Sequence, residues 1–168
     1  MPDSPRLAFR LWRADDVDLA MDLWGDPRVT ALIDARCALD RARVEARLRD
    51  EMELQARHGV QYWPAFLRDS GELAGCAGLR PRDPQAGVFE LGFHLCARAW
   101  GRGLATEAGA AVVRFAFDQL HAAALFAGHH PNNAASRKVL LKLGFAHTHD
   151  ELYPPTGLDH PSYRLERR

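Results

Sequence analysis

The chain has 168 residues, 47% hydrophobic and 26% charged, with Lys plus Arg and Asp plus Glu equal at 22 each. That length suits one globular domain able to bury about two-thirds of the surface its unfolded chain exposes, and a net charge of zero excludes the basic footprint of a nucleic-acid binder. Cys37, Cys76 and Cys96 are odd in number and irregularly spaced, which fits neither a disulfide framework nor a zinc site; with no signal pattern at the start and no apolar run near the ~20 residues of a membrane span, a cytoplasmic protein is expected.

Taken in order, Leu7, Phe9 and Leu11 alternate within Arg6 to Trp12, predicting a first strand. Asp15 or Asp16 caps a short helix over Val17 to Trp24, which Gly25-Asp26-Pro27 ends. From Leu39 to about His58 the spacing predicts an amphipathic helix, with Val44, Leu48 and Met52 on the covered side and Arg43, Arg47, Asp50 and Glu51 toward water. Gly59 stops it. Val60 to Arg68 and Leu73 to Leu79 read as a hairpin turned by Asp69-Ser70-Gly71-Glu72, followed by a loop at Pro81 to Pro84. A strand over 88–96, a helix over Leu104 to Leu120, an all-apolar strand over Ala123 to Gly128, a helix over Ala134 to Leu143, and strands from Phe145 and over Ser162 to Arg167 complete the chain. The strands at 88–96 and 123–128 should pair in parallel through a right-handed crossover.

The turn between the 88–96 strand and the 104–120 helix reads Arg98-Ala-Trp-Gly-Arg-Gly-Leu-Ala-Thr-Glu107. Gly101 and Gly103 let the backbone approach a ligand in conformations other residues avoid, while the opening of a helix offers free N–H groups and a positive dipole end to phosphate oxygens. A dinucleotide fingerprint is excluded because Thr106 stands where a third Gly or Ala is needed, and no GxxxxGK[ST] occurs. What remains, R-x-x-G-x-G leading into a helix, resembles the acyl-CoA loop of the GNAT acetyltransferases, most closely the branch that acetylates protein N-termini and small amines. Asn133-Ala-Ala-Ser136-Arg-Lys-Val-Leu-Leu-Lys-Leu-Gly-Phe145 is similar to the family's second signature, in the right order and at a sensible separation.

The resemblance implies an α/β fold (α+β in some schemes): a central mixed, mostly antiparallel sheet of about six to seven strands, helices on both faces, and a splayed parallel pair in the middle. It implies a single acyl-CoA N-acyltransferase domain over 1–168, with an acceptor-side half over about 1–87, a CoA-binding half over about 88–145 and a hairpin over about 145–168. Acetyl-CoA is then the co-substrate, with no metal, and the partner is an amine, either a small molecule or a peptide N-terminus. A monomer or homodimer, without nucleic acid or membrane, is expected. Residues expected to hold acetyl-CoA are Phe93, Leu95, Arg98, Gly101, Arg102, Gly103, Leu104, Ala105, Thr106, Asn133, Ser136 and Arg137. Asn133 and Ser136 suit plain helix capping as well.

Acetyl transfer to an amine needs the neutral amine, whose conjugate acid has a pKa of roughly 8 to 10, and a stabilised oxyanion. Glu90, inside the apolar run Val88 to His94, is the candidate base, since burial would raise its pKa; pairing with an Arg on the next strand is the competing reading. His94 falls on the same face by period-two alternation, placed to assist the base or hold a water, or else a satisfied structural histidine. In the family, oxyanion donors come from the main chain of this strand, here Phe93 to Leu95. The family often has a tyrosine in the last helix as general acid, where this chain has Val139-Leu140-Leu141. That leaves Ser136, a water, Tyr153 or Tyr163 for the role. Asp26, Asp34, Asp150, Glu151 and Asp159 fall in the segments expected to line the acceptor groove and would favour a cationic amine; Trp24 and Trp63 would wall it or belong to the core. His129, His130, His147 and His149 lack zinc-site spacing. A non-catalytic acyl-CoA-binding module is the alternative to an enzyme.

Overall fold

A computed structural model describes residues 1–35 and 39–167, so Cys37 lies outside the described residues. The chain runs β1 (Leu7–Phe9), α1 (Val17–Trp24), α2 (Pro27–Thr30), α3 (Arg41–His58), β2 (Tyr62–Leu67), β3 (Leu73–Asp83), β4 (Val88–Leu95), a 3-10 turn (Ala97–Ala99), α4 (Leu104–Asp118), β5 (Ala124–Gly128), α5 (Ala134–Lys142), β6 (Ala146–Tyr153) and β7 (Leu158–Glu166). Gly25 ends α1, yet Asp26 immediately accepts the Arg28 N–H and, with Pro27 at the first helical position, starts the short α2 that the sequence reading lacked. Asp40 caps α3 through the Arg43 N–H, and Gly59, at φ 69°, closes it in the left-handed conformation.

Three strands differ in extent from expectation. The first is only Leu7–Phe9. β3 continues past Leu79 to Asp83, so Arg80 and Arg82 stand on a strand and not on a loop. β7 begins at Leu158 and not at Ser162, its first residues paired with the end of β6 across a turn at Thr156 and Gly157, whose N–H groups both bond to the Tyr153 carbonyl.

The seven strands form one sheet in the order β1-β2-β3-β4-β5-β7-β6, antiparallel except for β4 and β5. That parallel pair is short: Val88, Phe89 and Glu90 face Ala124, Leu125 and Phe126, and beyond them the strands part. Strand alternation sends Leu91, Leu95, Ala77 and Leu79 into a core covered by Leu104, Ala108 and Val112 of α4 and Leu140 of α5. Tyr62, Leu73 and Cys76 face the other way, into a core formed with Leu23 and Trp24 of α1 and Val44 and Leu48 of α3. Helices therefore cover both faces, and Glu90, Gly92 and His94 share the α1/α3 side. Among the described residues, no helix is long and apolar enough to cross a membrane.

The first turn of α4 is anchored from a distance. Glu107 accepts from the Ser4 hydroxyl (2.9 Å), the Arg6 backbone N–H (2.8 Å) and Arg6 Nε (2.6 Å). Burial alone would raise the Glu107 carboxyl, but these donors outweigh it and hold it below the ordinary 4.5. A carboxyl lowered in the folded state contributes stability above its unfolded value, lost as pH falls through the folded one. Glu107→Gln is therefore expected to lower Tm by a few degrees at pH 7, with the gap from wild type closing in scans taken below pH 4.5.

Candidate active site

Where β4 and β5 part, two cavities meet. The larger, about 420 Å³, is lined by Phe93, His94 and Leu95 of β4, by Gly101 and Gly103 through Thr106 at the start of α4, and by Asn133, Ser136 and Val139 of α5. Gly101 and Gly103 have φ of 74° and 75°, as the glycine spacing required. No side chain caps α4, so its opening amides keep their donor capacity for a ligand. A Cβ at Gly101 would meet nothing within 4 Å, and one at Gly103 only the Arg6 guanidinium at 3.8 Å. This is a shape and a donor set that an anion of phosphate type fits. Cys96 N–H bonds the Ala74 carbonyl at 2.9 Å, so by alternation the N–H groups of Phe93 and Leu95 face away from β3, into the gap.

Three arginines expected beside the cradle are not among its lining. Arg98 donates to the Leu73 carbonyl at 3.0 Å and approaches Asp22 at 3.9 Å, because the 3-10 turn swings it back over β3. Arg102 and Arg137 are exposed and do not line the cavity. Asn133 does cap α5, its Oδ1 accepting the Ser136 N–H at 3.0 Å, while Ser136 lines both cavities.

The smaller cavity, about 160 Å³, holds Glu90, His94, Tyr62, Arg47, Arg80 and Tyr153. Arg80 is directly opposite Glu90 in the β3–β4 register, the pairing that would have made Glu90 structural. It goes elsewhere: its guanidinium binds Glu51 at 2.6 Å and stacks 4.5 Å from the Tyr62 ring centre. Glu51 is fully buried and also takes the Tyr62 N–H at 2.7 Å, which corrects its expected place on the wet side of α3. Glu90 is left with no ion pair among the described residues. Burial raises its carboxyl above the ordinary 4.5, against the pull of Arg80 and Arg82 and with help from Glu151.

His94 lines both cavities. Trp24 donates its indole N–H to Nδ1 at 3.2 Å, so the proton of the neutral ring sits on Nε2. Burial, with Arg47 and Arg80 nearby, holds His94 well below its ordinary 6.5. Its Nε2–H is thus available to the cavity as a hydrogen-bond donor. Both tryptophans belong to the core, Trp24 on the α1/α3 side, where it reaches the site through that bond, and Trp63 on the other, edge-on to Phe115.

Tyr62, like Arg47 and Arg80, is a cavity residue that sequence reasoning missed. A methyl group at Gly92 would overlap its hydroxyl, so the phenol lies over Gly92, between the Glu90 and His94 positions of the same face. Burial pushes its pKa far up, so it stays protonated: a fixed donor and a poor proton source. The visible signal was Gly92, small where an apolar strand would carry a side chain. Gly92→Ala is expected to displace the phenol and cut turnover by roughly a hundred-fold, the order lost with one oxyanion donor, while coenzyme affinity measured by titration stays within about two-fold.

Of the two other tyrosines, Tyr153 lines the smaller cavity and Tyr163 is buried against His129. Of the acids expected at the groove, Asp26 binds Arg28 at 2.7 Å, Asp150 binds His147 at 2.8 Å and Glu151 binds Arg82 at 2.9 Å; Glu151 is the one of the five that lines the cavity.

A family model of the GNAT acetyltransferase domain matches residues 6–146. The chain belongs to the GNAT acetyltransferase family. It is 26% identical over 142 residues to the uncharacterized N-acetyltransferase p20 of Bacillus licheniformis, covering 84% of this chain and 80% of that protein. It is 33% identical over 88 residues to YkkB of Bacillus subtilis, 52% of this chain and 51% of that one. A GNAT-family acetyltransferase from Bacillus anthracis has the same fold with a TM-score of 0.85 at 18% identity, covering 98% and 97% of the two chains. RimL, a ribosomal-protein alpha-N-acetyltransferase solved in complex with coenzyme A, gives 0.83 at 16% identity, covering 98% and 96%. As a GNAT protein the chain is an acetyltransferase, and acetyl-CoA use follows from the family; the open amides at α4 and the β4–β5 gap are compatible with it.

Proposed function

We propose that this GNAT enzyme moves the acetyl group of acetyl-CoA to a primary amine by direct attack in a ternary complex. The observation that carries the reading is the meeting of the two cavities at Phe93, His94, Asn133 and Ser136, with an unpaired, raised Glu90 on the far side of the junction. Acetyl-CoA enters from the α4 side, its diphosphate on the amides that open α4 and its thioester carbonyl at the gap. The acceptor enters from the Glu90 side. Glu90 takes the ammonium proton, directly or through a water, and the freed amine attacks the thioester carbon. The N–H of Phe93 or Leu95, the Tyr62 hydroxyl and His94 Nε2–H are the available donors to the oxyanion that forms. Collapse breaks the C–S bond and releases a thiolate of pKa near 8.5; the second proton that the attacking nitrogen loses as the amide forms passes to this sulfur, with Ser136 or a water as the relay.

The test is thiol release from acetyl-CoA with a panel of small amines, polyamines and peptides beginning with Ser or Ala. Turnover above hydrolysis with one class names the acceptor. Coenzyme binding without turnover on any amine would replace the enzyme reading by a binding module.

A further inference from the structure

We infer that the acceptor is a small amine bearing a carboxylate a few bonds from its nitrogen, as a free amino acid does, with Arg47 holding the carboxylate while the nitrogen faces Glu90. This rests on the acetyl-transfer reading above and specifies its substrate.

The argument is an accounting of charge in the smaller cavity. Three guanidiniums line it, those of Arg47, Arg80 and Arg82. Arg80 is engaged by buried Glu51. Arg82 is engaged by both oxygens of Glu151, at 2.9 Å each, and lies over the Phe126 ring. That leaves one cation and one carboxylate in the same cavity with no ion pair among the described residues: Arg47 and Glu90.

Arg47 is held as a binding group and not as a solvated surface charge. Its guanidinium stacks 4.7 Å from the Trp24 ring centre, and its Nε is buried with no hydrogen-bond partner. Arg80 Nε is in the same condition. Buried donors without acceptors destabilise a fold, and a planar fork over an aromatic face is the geometry that receives a carboxylate. A plain alkylamine or polyamine would satisfy Glu90 but bring its charge toward Arg47, an unfavourable approach. A peptide N-terminus would leave Arg47 unpaired. A zwitterion satisfies both groups, and about 160 Å³ suits a small one.

The decisive experiment compares each free amino acid with its carboxamide as acceptor in the thiol-release assay, alongside neutral peptides starting with the same residue. The best amino acid is expected to exceed its amide by roughly ten-fold or more in kcat/KM. Arg47→Gln should erase most of that preference by raising KM for the acid more than for the amide, and Arg47→Lys should restore part of it. Equal rates for acid and amide, faster turnover of the peptides, or an equal loss on both acceptors in Arg47→Gln would overturn the proposal.

Binding separates this from a failure of the chemistry. N-acetylated amino acids and their amides are titrated calorimetrically into wild-type enzyme saturated with CoA. Selective binding of the acids without turnover of any amine would support the carboxylate site and sink the transfer reading. Binding of neither form would sink the carboxylate site.

Discussion

Glu90→Gln is expected to lower acetyl transfer at pH 7 by roughly ten-fold or more, within the range that general bases supply, and to raise Tm at the same pH. Both effects follow from one arrangement. Glu90 is enclosed, its register partner Arg80 is drawn away by Glu51, and burial lifts its carboxyl above 4.5. A base with a raised pKa abstracts a proton more readily once ionised, so the wild-type rate should climb as pH rises through that value. In the Gln variant this limb is missing, and the rate follows the amine's own deprotonation, so the deficit shrinks at high pH. For stability the sign is opposite to the usual carboxylate. The unfolded carboxyl ionises near 4.5 and the folded one only above it, so the folded state is progressively disfavoured as pH rises between the two and by a constant amount beyond. Gln removes that cost, and the stabilisation should appear in thermal scans at pH 7 and vanish at pH 4. An unchanged pH–rate profile would remove Glu90 from the mechanism. A lower Tm at pH 7 would mean that Glu90 has a favourable partner after all.

The half of the site made by local chain chemistry was legible in the sequence; the half made by long-range charge pairing was not. Gly101 and Gly103 adopt the positive φ that their spacing before a helix demanded, and Leu104 opens α4 where expected. The β4–β5 parallel pair followed from a short apolar strand, read as Ala123 to Gly128, after a helix. By contrast, whether Glu90 is a structural ion or a base depends on where Arg80 points, and that is decided by Glu51, 29 residues away along the chain. Glu51 sits three residues after Leu48 and seven after Val44, so helix geometry places it on the covered stripe, and its charge alone argued for the wet side. A carboxylate on an apolar stripe signals a buried partner, and the partner's identity is a fact of tertiary structure. Arg98 shows the reverse case. Its proximity in sequence to the glycines suggested a phosphate contact, but from within the 3-10 turn its guanidinium donates to the Leu73 carbonyl. Charge next to a motif is weaker evidence than backbone geometry within it.

Gly103→Val is expected to weaken CoA binding by roughly ten-fold or more while leaving the fold intact. Space is not the reason, since the nearest atom to an added Cβ is the Arg6 guanidinium at 3.8 Å. The reason is the backbone: φ is 75° at the residue just before α4, a conformation costing a side-chain-bearing residue about 1–2 kcal/mol, with β-branching among the worst cases. The variant can keep that strain or relax the turn, and relaxation moves the amides of Leu104, Ala105 and Thr106 away from the diphosphate position proposed for them. Since about 1.4 kcal/mol is a factor of ten in affinity, strain of this size is enough to produce the loss. Two controls separate the backbone from the side chain. Gly103→Ala should show much of the loss, and Gly103→Asn, which tolerates the left-handed region better, should retain more affinity than either. Calorimetric titration with CoA measures the ranking, and thermal scans check that all three variants fold. If Val and Asn bind CoA alike and as tightly as wild type, the amides that open α4 are not what grips the diphosphate, and the coenzyme must be held from elsewhere along the larger cavity.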